Sequence, residues 1–350
     1  SVNNTAIQLR VAPSIVLGYT FVPLKFVSEA LGASVAWDGT SRTVTIMTVK
    51  NSGFTEILAQ NSNQEFSFQN IAMGDSESKV IEQLGAPGRK DLSEYGFTWY
   101  VYNQDYAKYV QVGILSGKVV ALYTNSNTWV SKEGIRIGSA KADVTNAYGS
   151  NPLVSILKEN TLFSLDAGTG VGKEHGTYLL DGSYATIFYD NHKNDTVTAV
   201  QIIDKKVEES LLGYFGVPSE QLRISFERQN FDITNSLRVR FGLKPFIWND
   251  AIANTARKHS QDMMNRNYFA HLNLDGDSPF DRMTADGIKY SKAAENIFAG
   301  ARSAIYAHEG WMNSEGHRHN ILSDIQRLGV GVAFGGSYKV YVTQNFYTPL

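Results

Sequence analysis

Five of the seven histidines, at 259, 271, 308, 317 and 319, lie in the last 92 residues, so imidazole chemistry is concentrated there. The densest stretch is "WMNSEGHRHNIL" at 311–322, which sets Glu315, His317 and His319 within five positions just behind Trp311. An acid beside two imidazoles can hold a divalent metal or share a proton, whereas a merely polar helix end carries the same letters and does neither. Spacing removes several neighbours. "HEGWM" from His308 opens like a zinc-protease helix, but its fifth position is Met312, so His308 is expected to pack or to face solvent. His259 in "RKHSQD" sits mid-helix and reads as a satisfied structural histidine. Ser260 and Ser314 lack any local nucleophile signature. Asp275 and Asp277 of "DGDS" lack the spacing of a calcium loop and read as a turn and helix cap. Cysteine is absent, which excludes thiolate metal sites, disulfides and a cysteine nucleophile together.

The elements that must position these groups can be read from apolar spacing and caps. One helix is expected over "ERQNFDITNSLRVRF", ended by Gly242, and a second from Asn249 or Asp250 through "AIANTARKHSQDMMNRN". A short third begins at "SPFDRMTADG", with Pro279 in its first turn. A fourth covers "SAIYAHEGWMNSE", with Gly316 as its stop and Trp311 and Met312 as core anchors. The tail "RLGVGVAFGGSYKVYVTQNFYTPL" alternates around "GGS" as two strands. Helices flanking a small antiparallel sheet predict an α+β layered domain over 226–350.

Upstream, 71–124 and 135–203 read as one pattern written twice: "IAMGDSESKVIEQLGAP" aligns with "IRIGSAKADVTNAYGSNP", pairing Gly74 with Gly138, Val80 with Val144 and Gly85 with Gly149. Each half predicts a helix and then antiparallel strands, together a domain over 65–210. Its glycines read as turns and caps; with no G-x-G-x-x-G or P-loop lysine, no nucleotide is expected. Residues 204–224 read as a linker or short connecting helix. Residues 1–50 predict a small α/β module: strand-like "AIQLRVAPSIVL", helical "FVPLKFVSEALGA", and a hairpin turning at "DGTS".

With 350 residues the chain is long enough for two or three cores, and 43% apolar residues with 8 prolines leave no segment that reads as disordered. Lys and Arg number 32 against 34 Asp and Glu without a basic stripe, which argues against nucleic acid. No apolar run is long enough to cross a bilayer, and no signal peptide stands at "SVNNTAIQ"; the expectation is that any export signal is removed or was never there.

Family resemblances carry these readings further. "TFVPLKFVSEALGASVAWDGTSRTVTI" resembles the copper amine oxidase N-terminal-like domain, recurrent in secreted proteins of Gram-positive bacteria; no copper is expected, because the chain's first histidine is His175. The duplicated region, together with the residues C-terminal to it, resembles the CAP-associated N-terminal domain. In the family's order, "NSLRVRFGLKP", "RNYFAHLN", "AENI", "WMNSEGHRHNIL" and "LGVGV…YVTQNF" make 226–350 similar to a bacterial CAP, or SCP, domain.

That resemblance implies an α-β-α sandwich whose cleft is lined by two histidines and two acids, holding a divalent metal such as zinc in some members. By motif the first histidine is His271, the first acid Glu295 and the second histidine His317, while the second acidic position falls on Ser314, a departure; Glu309 and Glu315 lie near but are not assumed to substitute. His271, Glu295 and His317 are 24 and 22 positions apart, so their convergence is what the resemblance implies. Brought together they would be the donor set of a His₂Glu zinc site, or without metal an acid and base set. A histidine at a helix end or a glutamate orienting a loop is the plain alternative for each, and His319 is either support for the site or a solvated position. The expectation is a secreted or envelope-associated protein whose cleft binds an envelope component or small hydrophobic ligand and is open to a divalent metal, zinc before others. A hydrolase of peptide or cell-wall material is the first alternative, and a structural surface protein with a vestigial cleft the second.

Overall fold

The computed structural model describes residues 64–165 and 173–350, together with the backbone of four short strands nearer the N terminus. The chain divides into two units, Ser1–Ile57 and Leu58–Leu350. In the first, β1 (Ser14–Val16) pairs antiparallel with β2 (Tyr19–Phe21), and β3 (Ala33–Asp38) with β4 (Thr43–Thr48). The last pair brackets "DGTS", as the hairpin reading requires. The helix expected over "FVPLKFVSEALGA" and the side chains on which the copper expectation rests lie outside the described residues.

The second unit opens with a small ribbon, β5 (Ser67–Phe68) and β6 (Ile71–Ala72), and helix α1 (Glu77–Leu84). Strands β7 (Arg89–Leu92), β8 (Thr98–Tyr102), β9 (Val110–Leu115) and β10 (Lys118–Thr124) complete the first repeat. The second has α2 (Lys141–Tyr148), a side hairpin β11 (Ser155–Lys158) and β12 (Thr161–Ser164), then β13 (His175–Leu180), β14 (Ser183–Asp190) and β15 (Thr196–Asp204). One antiparallel sheet results, in the order β13-β14-β15-β10-β9-β8-β7, so the last strands of the two repeats pair at its centre.

The duplication is visible bond by bond. Gly74 N donates to Val119 O and Gly138 N to Val197 O, both at 2.8 Å, while Val119 and Val197 donate back to Asp75 and Ser139 at 2.9 Å. Both glycines sit at positive φ, 81° and 87°, where a side chain would be strained. Val80 and Val144 point from their helices into one shared core with Tyr100, Trp129 and Ile187.

After the short helix α3 (Lys205–Ser210), the C-terminal layers begin with α4 (Glu220–Arg240), capped by the Ser219 hydroxyl accepting from Leu222 N at 3.0 Å. Then come β16 (Ile247–Trp248), α5 (Asp250–Arg266), α6 (Pro279–Ala285), β17 (Tyr290–Ala299), α7 (Ala304–Met312), α8 (Glu315–Leu322), β18 (Arg327–Gly335) and β19 (Lys339–Pro349). The sheet order is β16-β18-β19-β17, antiparallel except for β16 on β18. Helix α5 lies so close on one face that a side chain at Gly329 or Gly331 would collide with the α5 backbone, at 2.2 and 2.0 Å. On the other face Gln344 reaches Asn230 and Thr234 of α4.

Caps at Asn249 and Ser278, and Pro279 in a first turn, match the expected signals. The fourth helix does not. It ends at Met312, and Gly316, expected to stop it, lies inside a new helix, α8. The break falls at Asn313 because its amide is drawn away from the helix: Nδ2 donates to Tyr189 O at 3.0 Å and Oδ1 accepts from Asn191 N at 2.9 Å, both on the central sheet side. The "AENI" motif lies in the middle of strand β17.

Candidate functional site

Strand β17 is the outer edge of the C-terminal sheet. Glu295 shares a face with its cross-strand partner Asn345 and with Thr343, whose hydroxyl meets Ser260 of α5 at 2.8 Å, so its carboxyl points to the α5 side. The loop between α5 and α6 brings His271 there: the ring Nδ1 donates to Glu295 Oε1 at 2.9 Å. From α6, Arg282 Nη2 donates to Oε2 at 2.8 Å, and its Nη1 donates to the carbonyls of His271 and Asp277 at 2.8 and 2.9 Å. The His271 side chain is 48% exposed and that of Glu295 only 2%, so solvent meets the imidazole and not the acid. Because Nδ1 faces a carboxylate it carries the proton, which leaves Nε2 as the ring's acceptor nitrogen.

Helix α8 covers the free edge of β17 through a ladder of amides. Asn320 Nδ2 donates to Glu295 O at 3.3 Å and to Asn296 Oδ1 at 2.9 Å. Asn296 Nδ2 donates in turn to His317 O at 3.2 Å and Gln344 Oε1 at 3.1 Å. This brings His317 near His271. Burial, and then the charge of His271, hold the His317 imidazole below the usual histidine range and favour its neutral form.

The remaining candidates separate. Ser314 caps the start of α8 with extended backbone and no side-chain cap bond. Glu315 and His319 are exposed, and His319 is solvated as its plainer reading had it. His308 is wholly buried against the Thr234 hydroxyl, 3.2 Å from Nδ1, and burial pushes its pKa down to about 3. Glu309 faces the central sheet, with the Tyr123 hydroxyl at 3.4 Å, so it does not replace the acid missing at Ser314. His259 is buried beneath the cleft: its ring donates from Nε2 to Ala270 O at 3.0 Å and stands 3.9 Å from Glu295 Oε1. Burial lowers its pKa, so the 3.9 Å approach is a neutral contact rather than an ion pair.

Sequence reasoning missed Arg282, Asn296, Asn320 and Gln344, which fasten the site. A charged residue on a short helix reads as solvated, and no spacing rule ties it to a strand 13 residues on. It also missed the support of α8 from behind: Arg318, next to His317, makes a bidentate pair with Asp190 of the central sheet at 2.9 and 2.9 Å.

As a metal centre the site fails a simple test. In a His₂Glu centre the carboxylate is a ligand, whereas here Glu295 Oε1 accepts from His271, Oε2 is paired with the Arg282 guanidinium, and the acid is hidden from solvent. Among the described residues no three His, Asp or Glu side chains form a metal-ligand group.

Three family models match the chain: Cysteine-rich secretory protein family over 231–346, CAP-associated N-terminal over 73–214, and Copper amine oxidase N-terminal domain over 1–67. A protein of Bacillus subtilis strain 168 described as an uncharacterized membrane protein, YlbC, is 30% identical over 289 residues, 78% of this chain and 82% of that protein. YkwD of the same strain, uncharacterized, is 41% identical over 114 residues, 32% of this chain and 44% of its own length. The crystal structure of an extracellular protein containing a SCP domain from Bacillus anthracis superposes with a TM-score of 0.69 at 28% identity, covering 86% of this chain and all of that one. A cysteine-rich secretory protein from Staphylococcus aureus shares the fold, with a TM-score of 0.63 at 19% identity over 83% of this chain and 96% of its own.

Proposed function

The chain belongs to the Cysteine-rich secretory protein (CAP) family, and from that premise we propose that it is an envelope-associated protein whose C-terminal cleft binds a ligand with an apolar body and one polar head. Placement at the envelope is supported by the relatives, one described as extracellular and one as a membrane protein. Among the described residues no helix is long and apolar enough to cross a membrane.

The observation that carries the ligand reading is the His271 imidazole, oriented by Glu295, on a loop that also exposes Phe269, Leu272 and Leu274, with Phe280 exposed on the neighbouring helix. Several exposed apolar side chains on one short segment with an oriented polar group mark a binding site more often than a bare surface. The test is a pyrene-labelled fatty alcohol titrated by fluorescence into wild-type protein and into the double variant His271→Ala, His317→Ala. Saturable binding lost in the double variant, with an unchanged circular dichroism spectrum, is expected; equal binding by both sinks the reading.

One observation favours a second reading. A buried carboxylate that fixes the tautomer of an accessible imidazole is the arrangement of a general base. On this reading His271 takes a proton from water or a hydroxyl while Glu295 steadies the ring. Denatured casein and peptidoglycan fragments left intact by the purified protein exclude it.

A further inference from the structure

The cleft contains a cation of its own. Arg282, only 11% exposed at its side chain, sets Nη2 against Glu295 Oε2 at 2.8 Å, and its Nη1 holds the carbonyls of His271 and Asp277. The guanidinium therefore does two things at once: it compensates the buried carboxylate, and it ties the loop that carries His271 to strand β17. A divalent ion ligated by Glu295 would have to take Oε2 from Arg282 and leave a guanidinium buried beside a second positive charge. A further donor is missing too, since Ser314, without a carboxylate, occupies the second acidic position of the motif.

We propose that Arg282 holds in this chain the place against Glu295 that a divalent metal would take in a His₂Glu centre, so that the cleft works through a guanidinium-locked His271–Glu295 pair and without bound metal. Arg282 is a positioning residue. It acts through Glu295 and through the backbone of His271, and its fork suits that double duty in a way a lysine ammonium does not.

The experiment uses the full chain. Wild-type protein, stripped with chelator, is titrated with zinc chloride by calorimetry and then desalted and analysed for zinc. Arg282→Gln, alone and with His271→Ala, is carried through the same steps. Expected are no stoichiometric zinc on the wild type at micromolar zinc, a zinc affinity raised about 10- to 100-fold by Arg282→Gln, and loss of that gain on adding His271→Ala. One equivalent of zinc retained by the wild type and lost in His271→Ala overturns the inference, and so does a folded Arg282→Gln that binds no more zinc than the wild type. Should Arg282→Gln fail to fold, the wild-type titration decides alone. The ligand reading is tested apart from this: alcohol-probe binding equal in zinc and in chelator is expected here, zinc-dependent binding overturns the metal-free cleft, and absence of probe binding sinks only the ligand reading.

Discussion

Two buried glutamates mark two regions, the cleft and the seam between the C-terminal layers and the central sheet. Glu295 in the cleft has a guanidinium on one oxygen and an imidazole on the other. Glu309 at the seam has one distant hydroxyl, Tyr123 at 3.4 Å, and its Oε2 has no hydrogen-bond partner among the described residues. Burial pushes the Glu309 carboxyl up to about 8 although Arg240 pulls the other way. Equal burial thus gives opposite chemistry: the cleft keeps its acid paired and uses it to orient a ring, and the seam holds its acid protonated at neutral pH. Partners, not depth, decide which buried acid works.

If the seam braces the cleft, cutting its strongest tie has the largest effect. Asp190→Ala leaves the Arg318 guanidinium unpaired at a side chain only 12% exposed, and is expected to cost about 3–5 kcal/mol in urea unfolding. It is also expected to weaken probe binding, because Arg318 lies next to His317. A cost under about 1 kcal/mol, the range of an exposed pair, breaks the comparison by making the seam a passive contact.

The pH dependence of stability sharpens it. Glu309 binds its proton more tightly folded than unfolded, so its contribution is fully present below its unfolded value, near 4.5, and is lost as pH rises through about 8. Glu94, also pushed up to about 8 by burial, adds to the same alkaline slope. His308 acts the other way: pushed down to about 3, it stays neutral while the unfolded chain protonates below about 6.5, so stability also falls toward acid. Glu309→Gln is expected to flatten the alkaline limb by about 2–3 kcal/mol and to leave the acid limb unchanged, read from melts between about pH 4 and 9. An unaltered alkaline limb would show that the seam carboxyl is ionised.

In the cleft the corresponding change is smaller in stability and larger in binding. Glu295→Gln keeps the volume but removes the charge that Arg282 and His271 share, at an expected cost of about 1–2 kcal/mol. The His271 ring loses its fixed tautomer, so imidazole nitrogen shifts should move and probe affinity should fall about 10-fold. Unchanged nitrogen shifts would mean that Glu295 does not orient the ring.

What the residues disclose in advance depends on the range of each interaction. Ser278 with Asp281, Asn249 with Ile252, and the helix-ending Gly85 and Gly149 act over three or four positions, and their letters announce them. The meeting of His271 with Glu295 is set by β17, whose "YSKAAENIFA" turns polar residues to both faces and hides the period of two. Only motif resemblance brings those residues together. Gly316 misleads for a related reason: its propensity to end a helix is weak, and the pull of the central sheet on Asn313 ends the helix three residues earlier.

The smallest effect tests the departure at Ser314. Its backbone already has N-cap geometry, φ −106° and ψ 120°, but its hydroxyl makes no cap bond. An aspartate there can accept from the first turn of α8 and meet the positive end of the helix dipole, so Ser314→Asp is expected to stabilise by about 0.5–1 kcal/mol in thermal melts. With Arg282 still on Glu295, restoring this acid supplies charge at the helix start and not a metal ligand set. The variant is therefore expected to melt higher with zinc content unchanged. A Ser314→Asp protein that captures one equivalent of zinc through His271 would show that the missing acid, rather than the guanidinium, keeps metal out of the cleft.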